Sequence, residues 1–235
     1  MSHHHGPKID PAEVIKSLEE SIVSFQKDFP LEAFAQGNYG QHPVITLLNC
    51  SDSRMPVNIF GEIFNRIFSV ENIGNQVKTN EGSILYGLLH LRTPLMIIAG
   101  HTDCGAIKAA ESNFLEEPFG IRNELSIVKN SLEEGRRLTG LAYDTKEAPL
   151  LYSQLAELNV DMQINYLLAN HNVAELVNKK ELMLVGVMAD LHNIYGNGYG
   201  AVYTSNINGE CSIPALQSAA GLGCLAERAK RLMAK

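Results

Sequence analysis

The chain has 235 residues, enough for one α/β domain with a substantial buried core, and its apolar content of 45% is ordinary for a globular protein. Its formal net charge of -7 argues against a nucleic-acid partner, because binding to phosphates needs a basic face. The longest apolar runs are too short to cross a bilayer and no apolar signal-like core opens the chain, so we expect a cytoplasmic protein without a membrane partner.

The N-terminal part predicts a helical arm. Residues 1–7 look like a truncated affinity tag or a disordered start, and we assign residues 8–235 to a single domain. Asp10 and Pro11 predict the start of a helix, and Pro30 predicts a break. Between them runs an apolar stripe at helical spacing, formed by Val14, Ile15, Leu18, Ile22 and Phe25. A loop rich in Gly, Asn and Pro follows at residues 37–43.

Two apolar runs, residues 44–48 and 95–99, each lead into a cluster of polar side chains. Such short runs with helical stretches between them predict buried parallel strands, which end at the same edge of a sheet. Cys, His and Cys with an open fourth position form a catalytic zinc set. We therefore predict one Zn²⁺ held by Cys50, His101 and Cys104. The alternative is a pair of core cysteines with a hydrogen-bonded core histidine.

The other elements complete an α/β fold: a central, mainly parallel β-sheet with an antiparallel edge strand, flanked by helices. A helix at 104–110, capped by Asp103 or Thr102, would lower the thiol pKa at its start. Cys211 and Cys224 have no partners for a second site, and we interpret them as bystanders. The further predicted elements are a strand at 67–70, a helix at 82–91, an exposed helix at 121–138, an amphipathic helix at 150–168, a helix at 172–178, a strand at 181–190, the edge strand at 200–205 and a closing helix at 215–234.

Three motifs resemble those of the β-class carbonic anhydrases: CSDSR at 50–54, ENIGN at 71–75 and GHTDCGA at 100–106. The chain is similar to the plant-like branch of that family, most closely over residues 41–110. One departure is Glu71, where many members carry Arg, and it puts the local salt bridging in doubt. The resemblance implies zinc-dependent, reversible hydration of carbon dioxide to bicarbonate and a proton.

The resemblance also implies roles for individual residues. Asp52 would orient the nucleophile or bind zinc and close the site, and a bidentate pair with Arg54 would hold it off the metal. The implied substrate-pocket residues are Gln41, Phe68, Ile73, Tyr86 and Gly105. For the apolar members of this set the alternative is ordinary core packing, and for Gln41 it is a place in a surface loop.

In the resembled family, N-terminal helices embrace a second subunit, which implies a homodimer or homotetramer. Packing of the stripe within its own chain is the alternative. Two other functions stay open: a carbon disulfide or carbonyl sulfide hydrolase with the same ligands, and a non-catalytic zinc-binding relative. The presence of both Asp52 and Arg54 argues against the non-catalytic relative.

Overall fold

The structure is a computed structural model that describes residues 9–34, 37, 39–140 and 148–233. The tag-like start at residues 1–7 lies outside this range. Backbone contacts divide the chain into an N-terminal unit, residues 1–41, and a larger unit, residues 42–235. No helix in the described part of the chain combines the length and apolar character needed to cross a bilayer.

The N-terminal unit contains one long helix, α1, at Pro11–Lys27. Asp10 caps it by accepting the N–H of Ala12 at 3.0 Å, and Pro11 occupies the first turn. The helix ends before Pro30, and one 3₁₀ turn at Leu31–Ala33 follows, so the predicted break is confirmed. No residue of α1 is buried, and its apolar stripe is therefore exposed in a single chain.

The larger unit is built on a five-stranded sheet with the order β2-β1-β3-β4-β5. Strands β1 to β4 run parallel to one another, and β5 is antiparallel to β4. The predicted fold class, including the antiparallel edge, is confirmed. The strands are β1 at Ile45–Cys50, β2 at Ile67–Asn72, β3 at Leu95–His101, β4 at Met183–Asp190 and β5 at Ala201–Ile207.

Helices cover both faces of this sheet. Successive residues of a strand point to opposite faces of the sheet, so the fold has two hydrophobic cores. Leu48 and Ile98 belong to the core on one face, and Leu47 and Ile97 belong to the core on the other. The first face lies under α2 to α6 and the second under α7 and α8. The helices are α2 at Glu81–Leu85, continued by a π turn at Tyr86–His90, α3 at Gly105–Ala110, α4 at Phe119–Thr139, α5 at Ala148–Leu168, α6 at His171–Asn178, α7 at Ile213–Ser218 and α8 at Cys224–Glu227.

Helix α5 lies directly on the sheet and is buried all round between residues 155 and 161. A Cβ atom at Gly100 or Gly186 would lie 2.7 Å from a methyl group of Val160, so these glycines allow α5 to approach β3 and β4 closely. The prediction of an amphipathic helix here is therefore wrong. The sides of α5 that do not face the sheet carry buried polar residues, among them Glu157 and Asn159.

Two further predictions are wrong. The helix at 121–138 is not simply exposed, because α4 buries Leu125, Val128 and Leu132 against the core. The closing helix at 215–234 is replaced by the short helices α7 and α8. Gly221 and Gly223, which lie between them, adopt positive φ angles of 85° and 50°, which glycine adopts without steric cost and which cannot continue a right-handed helix.

The C-terminal segment, residues 228–233, is fixed to both β5 and α5. The backbone N–H and C=O of Thr204 in β5 both hydrogen-bond to this segment, at 3.1 and 3.2 Å. The Arg231 side chain, only 3% exposed, contacts Asp161 at 2.7 Å and Glu157 at 3.2 Å, both on α5. One buried guanidinium thus neutralises two buried carboxylates.

Replacing Arg231 with methionine would leave these two carboxylates buried without a cation. We expect Arg231→Met to lower the free energy of unfolding by about 3–5 kcal/mol, the usual cost of breaking a buried ion pair from one side. Urea unfolding at neutral pH measures it. Arg137→Met is the control, because its pair with Glu134 is on the surface, and its midpoint should match that of the wild type. Equal midpoints for both variants would contradict the prediction.

Candidate metal centre

The carboxyl ends of β1 and β3 bring three possible metal ligands together. Cys50 ends β1, His101 ends β3, and Cys104 follows His101 three residues later in the chain. The two sulfurs are 4.0 Å apart, and the ligand atoms of all three residues lie within 4.8 Å of one another. A tetrahedral zinc ion with Zn–S bonds of about 2.3 Å holds two sulfurs roughly 3.8 Å apart. The sulfur spacing therefore fits zinc without rearrangement of the chain.

The orientation of His101 leaves one ring nitrogen for a metal ion. Its Nδ1 lies 2.9 Å from the carbonyl oxygen of Thr102, and because a carbonyl can only accept, Nδ1 carries the proton. Its Nε2 is buried, and the described residues offer it no hydrogen-bond partner. Such an unpaired buried nitrogen is costly unless something binds it. Together with two sulfurs it forms a donor set that suits Zn²⁺.

Backbone N–H groups face both sulfurs. Those of Ala106 and Ile107, at the start of α3, favour the thiolate form of Cys104, and that of Gly74 favours the thiolate form of Cys50. The hydrogen bond between the sulfurs lowers the pKa of Cys50 and raises the pKa of Cys104, because a thiolate at Cys50 accepts from the thiol of Cys104. At least one ligand is therefore prepared as a thiolate before any metal binds.

Asp52 lies beside this group and is held by Arg54. The guanidinium donates to its carboxylate from Nε at 2.9 Å and from Nη2 at 2.6 Å, and the Arg54 backbone N–H adds a third bond at 3.0 Å. These hydrogen bonds lower the pKa of Asp52 to about 2. Its Oδ2 lies 3.7 Å from Nε2 of His101. The carboxylate is thus next to the candidate metal position but is already engaged by the arginine.

The prediction that Asp103 or Thr102 caps α3 is wrong, because Cys104 itself is the N-cap and no side chain bonds to the helix start. Asp103 instead adopts a left-handed conformation with φ 61°. Its carboxylate contacts three basic side chains, those of Arg54, Lys108 and His192. Arg54 is therefore held between two carboxylates, one on each side of the ligand edge.

Ile73 and Gly105 lie near the ligands. Ile73 follows the last residue of β2, which pairs with Cys50, and Gly105 is the first residue of α3, with open space where a Cβ atom would be. Glu71, in β2, is exposed. Gln41 belongs to the N-terminal unit, and its place in the pocket stays a prediction.

Phe68 and Tyr86 lie away from the ligands. Their ring centroids are 6.0 Å apart, and Tyr86 is 44% exposed. Phe68 pairs with Thr46, four residues before Cys50 in the register, which places it about 13 Å along the sheet from the ligand edge. Their role as pocket residues also stays a prediction.

Three buried amide side chains near the ligands were not predicted: those of Gln76, Asn159 and Gln163. A signal was available, because Asn159 and Gln163 lie at i, i+4 spacing in the predicted helix at 150–168 and therefore on the same side of it. The two remaining cysteines, Cys211 and Cys224, belong to no metal-ligand group in the part of the chain that the structure describes.

Comparisons with known proteins agree with this geometry. The sequence model of the carbonic anhydrase family matches residues 45–197. A carbonic anhydrase of Mycolicibacterium smegmatis is 26% identical over 204 residues, which cover 82% of this chain and 90% of that protein. The solved structure of the β-carbonic anhydrase CcaA has a TM-score of 0.69 at 24% identity and covers 83% of this chain and 88% of that one.

A second solved structure, described as two tetrameric β-carbonic anhydrases from Sordaria macrospora, has a TM-score of 0.62 at 23% identity, with 80% of this chain and 96% of that one covered. The fold is that of the β-class carbonic anhydrases. The chain belongs to the carbonic anhydrase family of enzymes. Its place in the plant-like branch stays a prediction.

The pairing of Asp52 with Arg54 makes the stability of the folded protein depend on pH. Its contribution to stability is fully present above about pH 4, the pKa range of a free Asp, and is lost as the pH falls through the folded pKa of about 2. Arg54→Met should raise the pKa of Asp52 toward its ordinary value, because the largest stabilising hydrogen bonds are removed. Carboxyl-carbon NMR titration of the metal-free protein measures this. Arg136→Met, which removes a partner of Glu111, is the control and should not move Asp52.

Proposed function

We propose that this protein is a zinc enzyme that reversibly hydrates carbon dioxide to bicarbonate and a proton. The observation that carries the proposal is the buried Cys50–His101–Cys104 group with an ionised Asp52 beside it. The family match supports the reaction, and the donor set supports zinc as the metal.

The zinc ion would be held by Cys50, His101 and Cys104, and three protein ligands leave one position open for chemistry. When bound, it would supply the Lewis acidity that makes a water molecule nucleophilic near neutral pH. The remaining tasks fall to the side chains around it: they must orient the nucleophile, hold the carbon dioxide and let bicarbonate leave.

Asp52 would orient the attacking water by accepting its hydrogen bond. With a pKa of about 2, this carboxylate is a poor proton acceptor at neutral pH, so its role is orientation and not general-base catalysis. Arg54 occupies both carboxylate oxygens and so holds Asp52 away from direct coordination. Ile73 and the open space at Gly105 would form the nearby part of an apolar pocket for a nonpolar substrate.

A homodimer or homotetramer would complete this pocket. Phe68, and Tyr86 beside it, lie too far from the ligand edge to reach the ligands of their own subunit, so we place them at the pocket of a neighbouring subunit. The exposed apolar stripe of α1 supports such an assembly, since association would cover it. A similar solved structure is described as tetrameric.

Zinc content and turnover measured together test the function. The wild type should carry one zinc per chain and hydrate carbon dioxide, and Cys50→Ala and His101→Ala should lose both, because each removes a ligand. Cys224→Ala is the matched control, since this exposed cysteine lies outside the group, and it should keep both properties. The measurements need protein without residues 1–7, because a histidine run binds metals by itself.

Each other outcome points to a different function. Full zinc retention in Cys50→Ala and His101→Ala would contradict the ligand assignment. Zinc binding with hydrolysis of carbon disulfide or carbonyl sulfide, but without hydration of carbon dioxide, would assign the chain to the alternative hydrolase. Zinc binding with neither activity would leave a non-catalytic relative.

The assembly is tested on α1. A Leu18→Glu, Ile22→Glu double variant places two charges on the exposed stripe, and it should shift the protein toward monomers in sedimentation velocity. The matched control is Ser17→Glu with Ser21→Glu, two exposed polar positions on the same helix, which should leave the oligomer intact. An unchanged oligomer in the first variant would show that the stripe does not form the interface.

A further inference from the structure

Three buried amide side chains form a network beside the candidate metal centre. Asn159 and Gln163 lie one turn apart on α5, and Gln76 lies in the loop after β2; each is at most 3% exposed. Gln76 Nε2 donates to Asn159 Oδ1 at 2.7 Å. Gln163 Nε2 donates to Asn159 Oδ1 at 3.1 Å and to Gln76 Oε1 at 3.2 Å. The loop after β2 is thus hydrogen-bonded to the most buried helix of the fold.

The network converges on the carbonyl group of Gly74. This oxygen accepts from Gln76 Nε2 at 2.7 Å and from Asn159 Nδ2 at 2.9 Å. The N–H of the same residue faces the sulfur of Cys50 and lowers the pKa of that thiol. Gly74 also has a positive φ of 75°, and a Cβ atom there would lie 2.9 Å from Val128, so packing confines its backbone as well. Gly74 is therefore held by two amides on one side and faces a metal ligand on the other.

The backbone N–H groups that face the two cysteine sulfurs come from different parts of the chain. Cys104 faces the N–H groups of Ala106 and Ile107, which belong to the helix that it caps, so the groups that favour its thiolate are close to it in sequence. Cys50 is the last residue of β1 and, unlike Cys104, it does not cap a helix. The N–H group that faces its sulfur, that of Gly74, comes from the loop after β2, and that loop is hydrogen-bonded to a helix more than eighty residues further along the chain.

We propose that Asn159, together with Gln76, is a positioning residue for Cys50: the two amides hold Gly74 so that its N–H group fixes the direction of the Cys50 sulfur toward the metal. The proposal rests on the zinc site described under the proposed function. Hydrogen bonds from residues around the ligands commonly change metal affinity by about 10- to 100-fold, which sets the size of the effect to look for.

A purely structural network would behave differently. It would stabilise the fold, and its removal would weaken metal binding only as far as it unfolds the protein. A positioning network acts on one sulfur in a protein that is still folded. The test therefore needs metal affinity, stability and a signal from each cysteine, all measured on the same variants.

The variants are Asn159→Leu and the milder Gln76→Met, each of which removes a donor to Gly74 and retains a side chain of similar size. Asn206→Leu is the matched control, because it removes an equally buried amide that bonds to Asp161 and Gly209 and not to the loop after β2. Zn²⁺ affinity is measured by competition with a chelator, and stability by urea unfolding without metal.

Substitution with ¹¹³Cd²⁺ reports on each sulfur separately, because an amide proton that hydrogen-bonds to a metal-bound sulfur shows scalar coupling to the metal. Wild type should show this coupling from Gly74, Ala106 and Ile107. Asn159→Leu and Gln76→Met should lose the Gly74 coupling, keep the other two and bind Zn²⁺ at least about 10-fold more weakly. Asn206→Leu should keep all three couplings and the wild-type affinity.

Two results would overturn the proposal while leaving the zinc site in place. One is an unchanged affinity with the Gly74 coupling intact in Asn159→Leu and Gln76→Met. The other is an equal loss of affinity in Asn206→Leu, in proportion to its loss of stability. Failure of the wild type itself to bind Zn²⁺ or ¹¹³Cd²⁺ would instead overturn the proposed zinc site on which the inference rests. If Asn159→Leu does not fold, Gln76→Met alone decides.

Discussion

The parallel register between β1 and β3 is the constraint on which the site depends. Leu48 pairs with Ile98, so the two strands advance in step and Cys50 and His101 emerge at the same edge. A slip by one residue would turn every side chain of one strand to the opposite face. Because Leu47 and Leu48 are both fully buried, on opposite faces, such a slip would disrupt both cores at once. Burial on two faces therefore fixes the ligand positions before any metal is bound.

The complete burial of α5 has a second consequence, because its polar residues must find partners inside the protein. Its carboxylates, Glu157 and Asp161, face Arg231 and the C-terminal segment. Its amides, Asn159 and Gln163, face the loop after β2. Such a network is costly if one member is missing and specifies one arrangement when it is complete. The helix thereby ties the end of the chain, the sheet and the ligand edge into one unit.

Arg54 contributes more by orienting the Asp52 carboxylate than by stabilising the fold. It is 43% exposed, and exposed ion pairs contribute little to stability. Its bidentate contact with Asp52, however, fixes both oxygens of that carboxylate, and a further contact with Asp103 fixes the guanidinium from the other side. The result is a carboxylate that is ionised at neutral pH and points in one direction beside the ligands. Orientation of this kind is what a carboxylate that does not accept protons can contribute to catalysis.

The sequence by itself determined the strands and their mainly parallel direction, and it predicted the residues at the ligand edge, because short apolar runs followed directly by Cys50 and His101 are typical of buried parallel strands. The closing helix, the cap of α3 and the character of α5 were decided by the tertiary structure. Local pattern cannot show that Gly221 and Gly223 adopt positive φ angles between two short helices, or that Asp103 finds basic partners across the site. Nor does it show what covers Asn159. A polar residue on a helix looks the same in sequence whether water or a buried loop lies against it, and only the packing of distant segments settles which of the two is present.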